Sequence, residues 1–331
     1  MDLNDAADRT LLTSTLNSAT ARARGFDTPP YPGFPLGQTV AQALRPYPQF
    51  TTIPVLWAPL GKTWYDSLQV RAIKRLSQGL AFNSTFTWSK SLFLGAESDA
   101  GGLAESNNVF DRNTNKYLSV HDRPFIWTIA ASYTTPRLGT SRLLSSALRD
   151  WNYGVFLTYS SGFPLRAPTA QNNPPLQNLI FQPTFANRVP GQPLFLKDLN
   201  CHCFDPQKEF VLNPAAWEDP PAGQFGTSAA YYGDYRQQRR PRESMSLGRT
   251  FRFTESAGLE IRVEFTNIFN RSVVGNPDSD NYKATRTYVP NGNTAGGFGR
   301  INAQSSPTGT ATATLVNLSP RTGTLIARFT F

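Results

Sequence analysis

Seven segments of this chain alternate apolar and polar residues with a period of two, and the connections between them alternate strictly between short and long. A period of two is the mark of a strand whose two faces meet different surroundings. Residues 64–76 place Leu68, Val70 and Ala72 on one face and Ser67, Gln69 and Arg71 on the other. Residues 80–94 set Leu80, Phe82, Phe86, Trp88 and Leu92 against Asn83, Thr85, Thr87, Ser89 and Ser91. In 122–135, Phe125, Trp127, Ile129, Ala131 and Tyr133 oppose Thr128, Ala130 and Ser132. Trp151, Tyr153, Val155, Leu157 and Tyr159 then face away from Asn152, Gly154, Thr158 and Ser160. Residues 243–253 carry Met245, Leu247, Phe251 and Phe253 on one side. Next, Leu259, Ile261, Val263 and Phe265 oppose Glu260, Arg262, Glu264 and Thr266. The chain ends with Leu325, Ala327, Phe329 and Phe331 against Thr324, Ile326, Arg328 and Thr330.

The sorting of the connections decides between architectures. Residues 77–79, 136–150 and 254–258 form the shorter set, and 95–120, 164–240 and 271–318 the long one. A soluble sandwich has no reason to sort its loops by parity, whereas outer-membrane barrels keep short turns at the periplasm and long loops outside. A strand of about ten residues tilted near 45° climbs roughly 23 Å, close to the apolar band of such a barrel. The predicted fold is therefore all-β, an antiparallel transmembrane β-barrel portion over 63–331. An irregular extracellular loop region is expected over 1–62. With seven strands rather than an even number of at least eight, the piece is expected to be an open curved sheet in sequence order. Its edges would be 63–76 and 319–331, because Pro46, Pro48, Pro54 and Pro59 oppose a regular ladder in 39–58.

Composition agrees with this picture. Apolar residues make up only 39% of the chain and charged residues 17%, yet aromatics reach 12%. A polar lumen dilutes the apolar face while aromatic girdles mark both interfaces. The lipid-facing set is expected to be Phe82, Phe86, Trp88, Trp127, Ile129, Tyr153, Val155, Leu157, Ile261 and Val263. On the opposite face, Glu260, Arg262 and Glu264, with Arg71 and Arg75, read as charges bridging neighbouring strands or as contacts to a plug or a ligand. No apolar run is long enough for a transmembrane helix. The start, Met1-Asp2-Leu3-Asn4-Asp5, lacks the regions of a signal peptide, so the export signal is expected upstream of a fragment.

The net charge of +9 does not point to nucleic acid, because no basic helix, zinc motif or RNA-binding motif accompanies it. Much of the local excess lies in Tyr235-Arg236-Gln237-Gln238-Arg239-Arg240-Pro241-Arg242. That stretch reads as a solvated loop, with a loop facing lipopolysaccharide or an anionic ligand as the alternative. Cys201-His202-Cys203 is compatible with a small-ring disulfide, two free thiols or, with few further ligands available, a metal. Residues 11–24 read as a short helix, and the Pro-rich stretch after them as loop. No nucleophile elbow, zincin motif or phosphate loop is present, and His121, at the opening of a strand, fits a structural hydrogen-bond corner. The chain is accordingly expected to be no enzyme and to need no cofactor.

Several phrases resemble one family. Tyr65-Asp66-Ser67-Leu68-Gln69-Val70, Lys74-Arg75-Leu76 and Phe86-Thr87-Trp88-Ser89-Lys90-Ser91 are similar to a stretch of Oar-like TonB-dependent receptors of the carboxypeptidase-regulatory-like group, common in Acidobacteria. His121-Asp122-Arg123-Pro124, Tyr159-Ser160-Ser161-Gly162-Phe163-Pro164 and Leu212-Asn213-Pro214-Ala215-Ala216-Trp217 followed by Phe225-Gly226 continue the likeness. Arg262-Val263-Glu264-Phe265-Thr266-Asn267-Ile268-Phe269-Asn270, Gly299-Arg300-Ile301 and Arg328-Phe329-Thr330-Phe331 complete it. The order and spacing of these phrases span the chain from about residue 40 onward. The resemblance implies the C-terminal part of a bacterial outer-membrane barrel of about 22 strands, filled by a plug that lies outside this sequence. It implies energised uptake of a scarce nutrient such as a siderophore, oligosaccharide or peptide. The expected partners are outer-membrane lipid and lipopolysaccharide, the TonB complex acting through the plug, and the barrel-assembly machinery reading Phe329 and Phe331 as a C-terminal signal. The rival expectation is a structural or adhesive barrel that displays its long surface loops.

Overall fold

A computed structural model describes residues 1–51, 53, 61–94, 107–108, 111–136, 148–172, 184–254, 257–301 and 320–331. Parts of 39–58 and of the connections 95–120, 136–150, 164–240, 254–258 and 271–318, together with Ser319, lie outside the described residues.

The seven alternating segments are strands of one antiparallel sheet. They are β1 (Lys62–Ser77), β2 (Leu80–Leu94), β3 (Phe125–Thr134), β4 (Trp151–Ser160), β5 (Arg242–Arg252), β6 (Gly258–Thr266) and β7 (Thr322–Thr330). They pair strictly in sequence order, and a short strand at Lys116–Leu118 adds to the upper end of β2. β1 and β7 each pair on one side only among the described residues, so the sheet is open. The β1–β2 hairpin turns on Gln78 and Gly79, both left-handed (φ 52° and 79°), which matches the twist of the flanking strands. The last strand begins at Thr322, three residues later than the expected edge.

Directly opposed residues in an antiparallel pair share a face, so the register assigns every side chain. Across β1 to β4 the rows Val70–Phe86–Trp127–Tyr159 and Ala72–Ser84–Ile129–Leu157 lie on one face. Val155 opposes Met245, Met245 opposes Phe265, Leu247 opposes Val263, and Val263 opposes Leu325, which carries the same face through β5 to β7. The other face carries Gln69, Thr87, Thr85, Thr128, Thr158, Ser244, Ser246, Glu264 and Thr324.

The buried core sits elsewhere. Phe93, Leu165, Phe185, Val211, Leu212, Trp217, Tyr235, Phe298 and Ile301 form one cluster above the sheet, built almost entirely from the long connections. These connections pair locally, Pro164–Arg166 with Tyr231–Arg236 and Asn187–Arg188 with Trp217–Glu218, and fold into a compact head. Buried Asn107 knits it together. Its amide donates to the carbonyls of Gly226 and Ser228, and its side-chain oxygen accepts from the Phe185 N–H and the Thr184 hydroxyl.

The N-terminal stretch departs from the irregular loop expected of it. It holds α1 (Ala6–Thr13), α2 (Ala19–Ala23) and α3 (Val40–Ala43), where a single helix was expected over 11–24. Each starts at a residue whose side chain accepts a helix N–H: Asp5, Ser18 and Thr39. Leu11, Leu16, Ala21, Phe34 and Val40 close a small core of their own. The unit touches the head where Arg9 donates to the Ala222 carbonyl and Gln224 donates to Asn4.

Candidate functional site

The head meets the sheet at the upper ends of β2, β3 and β4, and the residues of the quoted phrases form that junction. Ser89 donates its N–H to the Pro124 carbonyl and its hydroxyl to the Arg123 carbonyl. Ser161 accepts the N–H of Phe125 and returns its own N–H to the Phe125 carbonyl. Gly162 follows, and a Cβ there would stand 2.0 Å from the Gln237 carbonyl oxygen, so only glycine admits the crossing chain.

One ion pair pins the junction. Asp122 is buried and accepts the Ser91 N–H and the Arg236 guanidinium. Arg236 also donates to the carbonyls of Asp122, Gly162 and Gly233, so its fork is nearly saturated. His121 sits on the exposed side of this corner, its N–H turned into the Ser119 hydroxyl.

Two cavities flank the pin. One of about 560 Å³ is lined by Phe125, Gly162, Phe195, Lys197, Asn200 and Arg239. The other, of about 720 Å³, is bounded by Asp66, Trp88, Lys90, Leu118 and Arg236. Both lie where long connections fold over the strand ends, so they form a mouth roofed by the head. A mouth of this kind, with convergent cationic and aromatic groups, is suited to holding a ligand.

Arg236, Gln237 and Arg239 of the basic stretch 235–242 line this mouth, and the placement of their neighbours corrects its reading as a solvated loop. Tyr235 is 0% exposed and Gln238 is buried, its side-chain oxygen accepting the Val274 N–H. Burial pushes the Tyr235 hydroxyl far above the usual phenol range. Arg240 is half-buried, and burial, followed by the charge of Arg242, holds its guanidinium below the usual range. The same holds for Arg123, through burial first and then the charges of Arg240 and Arg242. Sequence reading located this stretch but not Arg123, whose only signal was its place in the phrase Asp122-Arg123-Pro124.

The ten residues expected on the outer face, Phe82, Phe86, Trp88, Trp127, Ile129, Tyr153, Val155, Leu157, Ile261 and Val263, share one face by register. Aromatics collect at its two ends. Trp88, Phe125, Trp127 and Tyr159 mark the upper end, and Tyr133, Trp151, Tyr153, Phe251 and Phe329 the lower. Aliphatic Ile129, Val155, Leu157, Leu247 and Val263 lie between. Trp88 is 62% exposed, and the Trp127 indole N–H donates across the strands to the Ser84 hydroxyl. Phe329 stacks on Phe331, which lies just beyond β7. On the polar face, Arg262 pairs with Glu264 and Glu260 of its own strand, and Arg71 donates to Asn83 across β1 and β2.

Cys201 and Cys203 are joined by a disulfide, the first of the alternatives their spacing left open. The described residues contain no group of three His, Cys, Asp or Glu side chains placed to hold a metal ion. None of the described helices is long and apolar enough to cross a membrane, which says nothing about strands.

The sequence matches the family described as outer membrane beta barrel domain over residues 10–314. No curated protein and no solved structure matches it.

Proposed function

Because the chain belongs to the outer membrane beta barrel domain family and resides in the bacterial outer membrane, we propose that it forms part of an energised uptake receptor of the TonB-dependent, Oar-like kind. Its cargo is a scarce nutrient held in the mouth beneath the head. The observation that carries this reading is the mouth itself: folded connections and strand ends form two open clefts beside the Asp122–Arg236 pin, the larger of them reaching onto Leu68 and Trp88 of the outer face. A protein that only displays its loops needs no ligand-sized cleft at the strand ends.

On this reading the face bearing Trp88, Ile129 and Val263 meets lipid, and lipopolysaccharide surrounds its upper aromatic row. The lower row, ending at Phe329 and Phe331, is the part presented to the barrel-assembly machinery. The protein performs transport rather than bond-making chemistry, works without a cofactor and binds no nucleic acid. TonB acts on a plug that accompanies the barrel.

Growth on a panel of ferric chelates, oligosaccharides and peptides as sole sources tests the proposal. A strain lacking the gene and a strain lacking the TonB complex are expected to fail on the same member of the panel. If the deletion strain grows like its parent on every member and loses only surface attachment, the display reading replaces transport.

A further inference from the structure

We propose that Arg123, Arg240 and Arg242 form a binding site for a small oxyanion, a ligand carrying carboxylate or phosphate groups, at the upper end of the sheet's polar face. The inference rests on the uptake reading and gives its cargo a chemical class.

The charges of Arg240 and Arg242 act on Arg123 and that of Arg242 acts on Arg240, so the three guanidinium groups lie within electrostatic reach of one another, and each is held by its own contacts. Arg123 lies over the Phe163 ring, 3.9 Å from its centroid. The Phe163 carbonyl accepts the N–H of Gln237, and the Gln237 side-chain oxygen in turn accepts from Arg240 at 3.4 Å. Arg240 also reaches the Asn276 side chain at 3.3 Å. Arg242 opens β5 opposite Thr158, which opposes Thr128, so it stands on the polar face. The chain is anchored just before Arg240, by the Val274 N–H on the Gln238 side chain and by the Arg239 N–H on Asn200, and β5 pairing begins two residues after it.

No carboxylate answers these charges among the described residues. The nearby acids are engaged elsewhere: Asp122 holds Arg236, and Glu243, one residue from Arg242 but on the other face, holds Arg271. Arg123 leaves its buried Nε–H without a hydrogen-bond partner. The two Arg240 contacts are to neutral amide oxygens at long range, so much of its fork stays open. Three half-buried or exposed like charges held together by neutral groups raise one another's energy, and an oxyanion lowers it by accepting the open N–H groups in charge-assisted bonds. Arginine's planar fork suits carboxylate and phosphate equally well.

The chemistry has two sources, a soluble anion or the phosphates of lipopolysaccharide. Arg242 stands on the polar face, turned away from Trp88 and Ile129, and this favours the soluble one. The test is calorimetric titration of the purified full chain in detergent with citrate, with pyrophosphate and, separately, with lipopolysaccharide, at about 0.15 M salt. Citrate or pyrophosphate is expected to bind, and R240Q and R242Q each to weaken that binding by about tenfold or more. R252Q removes the same charge from the far end of the polar face, ten residues along β5, and is expected to leave binding unchanged. Unchanged thermal unfolding of the variants shows that they fold. The inference is overturned if neither soluble anion binds, if only lipopolysaccharide binds, or if R252Q weakens binding as much as R242Q. Binding is read on the purified protein, so uptake lost with binding intact would sink the transport reading alone. Binding absent with uptake intact would sink this inference alone.

Discussion

The sheet and the head use the same residue types in opposite ways. In the sheet, Trp88 is 62% exposed and Leu325 70%, while in the head Phe185 is 1% exposed and Tyr235 0%. Large apolar side chains left bare in a regular row along the strands are at home in hydrocarbon, where exposure costs nothing. Large apolar side chains buried together from distant connections belong to water, where burial is the driving force. One chain is thus written for two solvents, and the border runs through the junction of Ser89, Asp122, Gly162 and Arg236. Four experiments test how separate the two halves are.

Phe185→Ala is expected to have the largest effect, because the ring is fully enclosed in the head core. It should destabilise the head by about 3–5 kcal/mol. Hydrogen exchange should show the loss at Ala170 and Ala186, whose N–H groups bond to Thr184 and Pro168, while β2 to β6 stay protected. Equal loss of protection in the sheet would mean that head and sheet are one cooperative unit.

Ile129→Arg probes the other solvent. Near the middle of the outer face it should cost roughly 2–4 kcal/mol on folding into lipid vesicles. Thr128→Arg, one residue away on the polar face, should cost much less. The reverse ranking would invert the assignment of the faces and with it the proposed lipid contact.

The two regions also differed in how far they could be read in advance. Trp127 and Ile129 fall on one face because strand side chains repeat every two residues, and alternation sustained along whole strands, with Ile126 and Phe156 as exceptions on the polar face, leaves little room for another fold. The head has no such repeat. Phe93, Phe185, Trp217, Tyr235 and Phe298 come from far apart in the sequence and meet only through local turn chemistry. Asn213 caps the short helix Pro214–Ala216 by accepting the Ala215 N–H, which aims Trp217 inward. Asn267 and Asn270, both left-handed at φ 50°, end β6, and Asn270 accepts the Arg321 N–H just before β7. Those phrases were visible as likenesses, but what each asparagine bonds to depends on segments that only the fold brings near. The mouth was half legible for the same reason. The basic stretch 235–242 stood out by charge, whereas its ion pair with Asp122 joins residues 114 apart in sequence.

Asp122→Asn acts on the border itself. The amide keeps an oxygen for the Ser91 N–H but loses the charge that holds Arg236. The expected cost is about 1–3 kcal/mol, appearing as faster exchange where the head meets the ends of β2 and β3. Since Arg236 also donates to three carbonyls, the head should stay attached. Complete release of the head, read as new protease cleavage after Arg236 with the sheet still folded, would make this one pair the hinge of the molecule.

The smallest effect is expected from replacing both Cys201 and Cys203 with serine. The disulfide closes a ring across a single intervening residue, His202, and a ring that short removes little freedom from the unfolded chain. All three residues are exposed, and none belongs to the head core. The neighbouring turn has other restraints: Asn200 accepts the Arg239 N–H and donates with its own N–H to Asp198. Lys197 pairs with Glu209 across the same loop. Loss of the bond should therefore shift head stability by less than about 2 kcal/mol and leave insertion into membranes unchanged. Asp198 and Asn200 line the smaller cavity, so a more sensitive readout is the affinity for citrate or pyrophosphate, which should also be unchanged because Arg123, Arg240 and Arg242 are held by other segments. If the double variant fails to insert, the bond is needed during assembly. If it inserts but loses oxyanion binding, the disulfide loop is part of the mouth rather than a decoration on its rim.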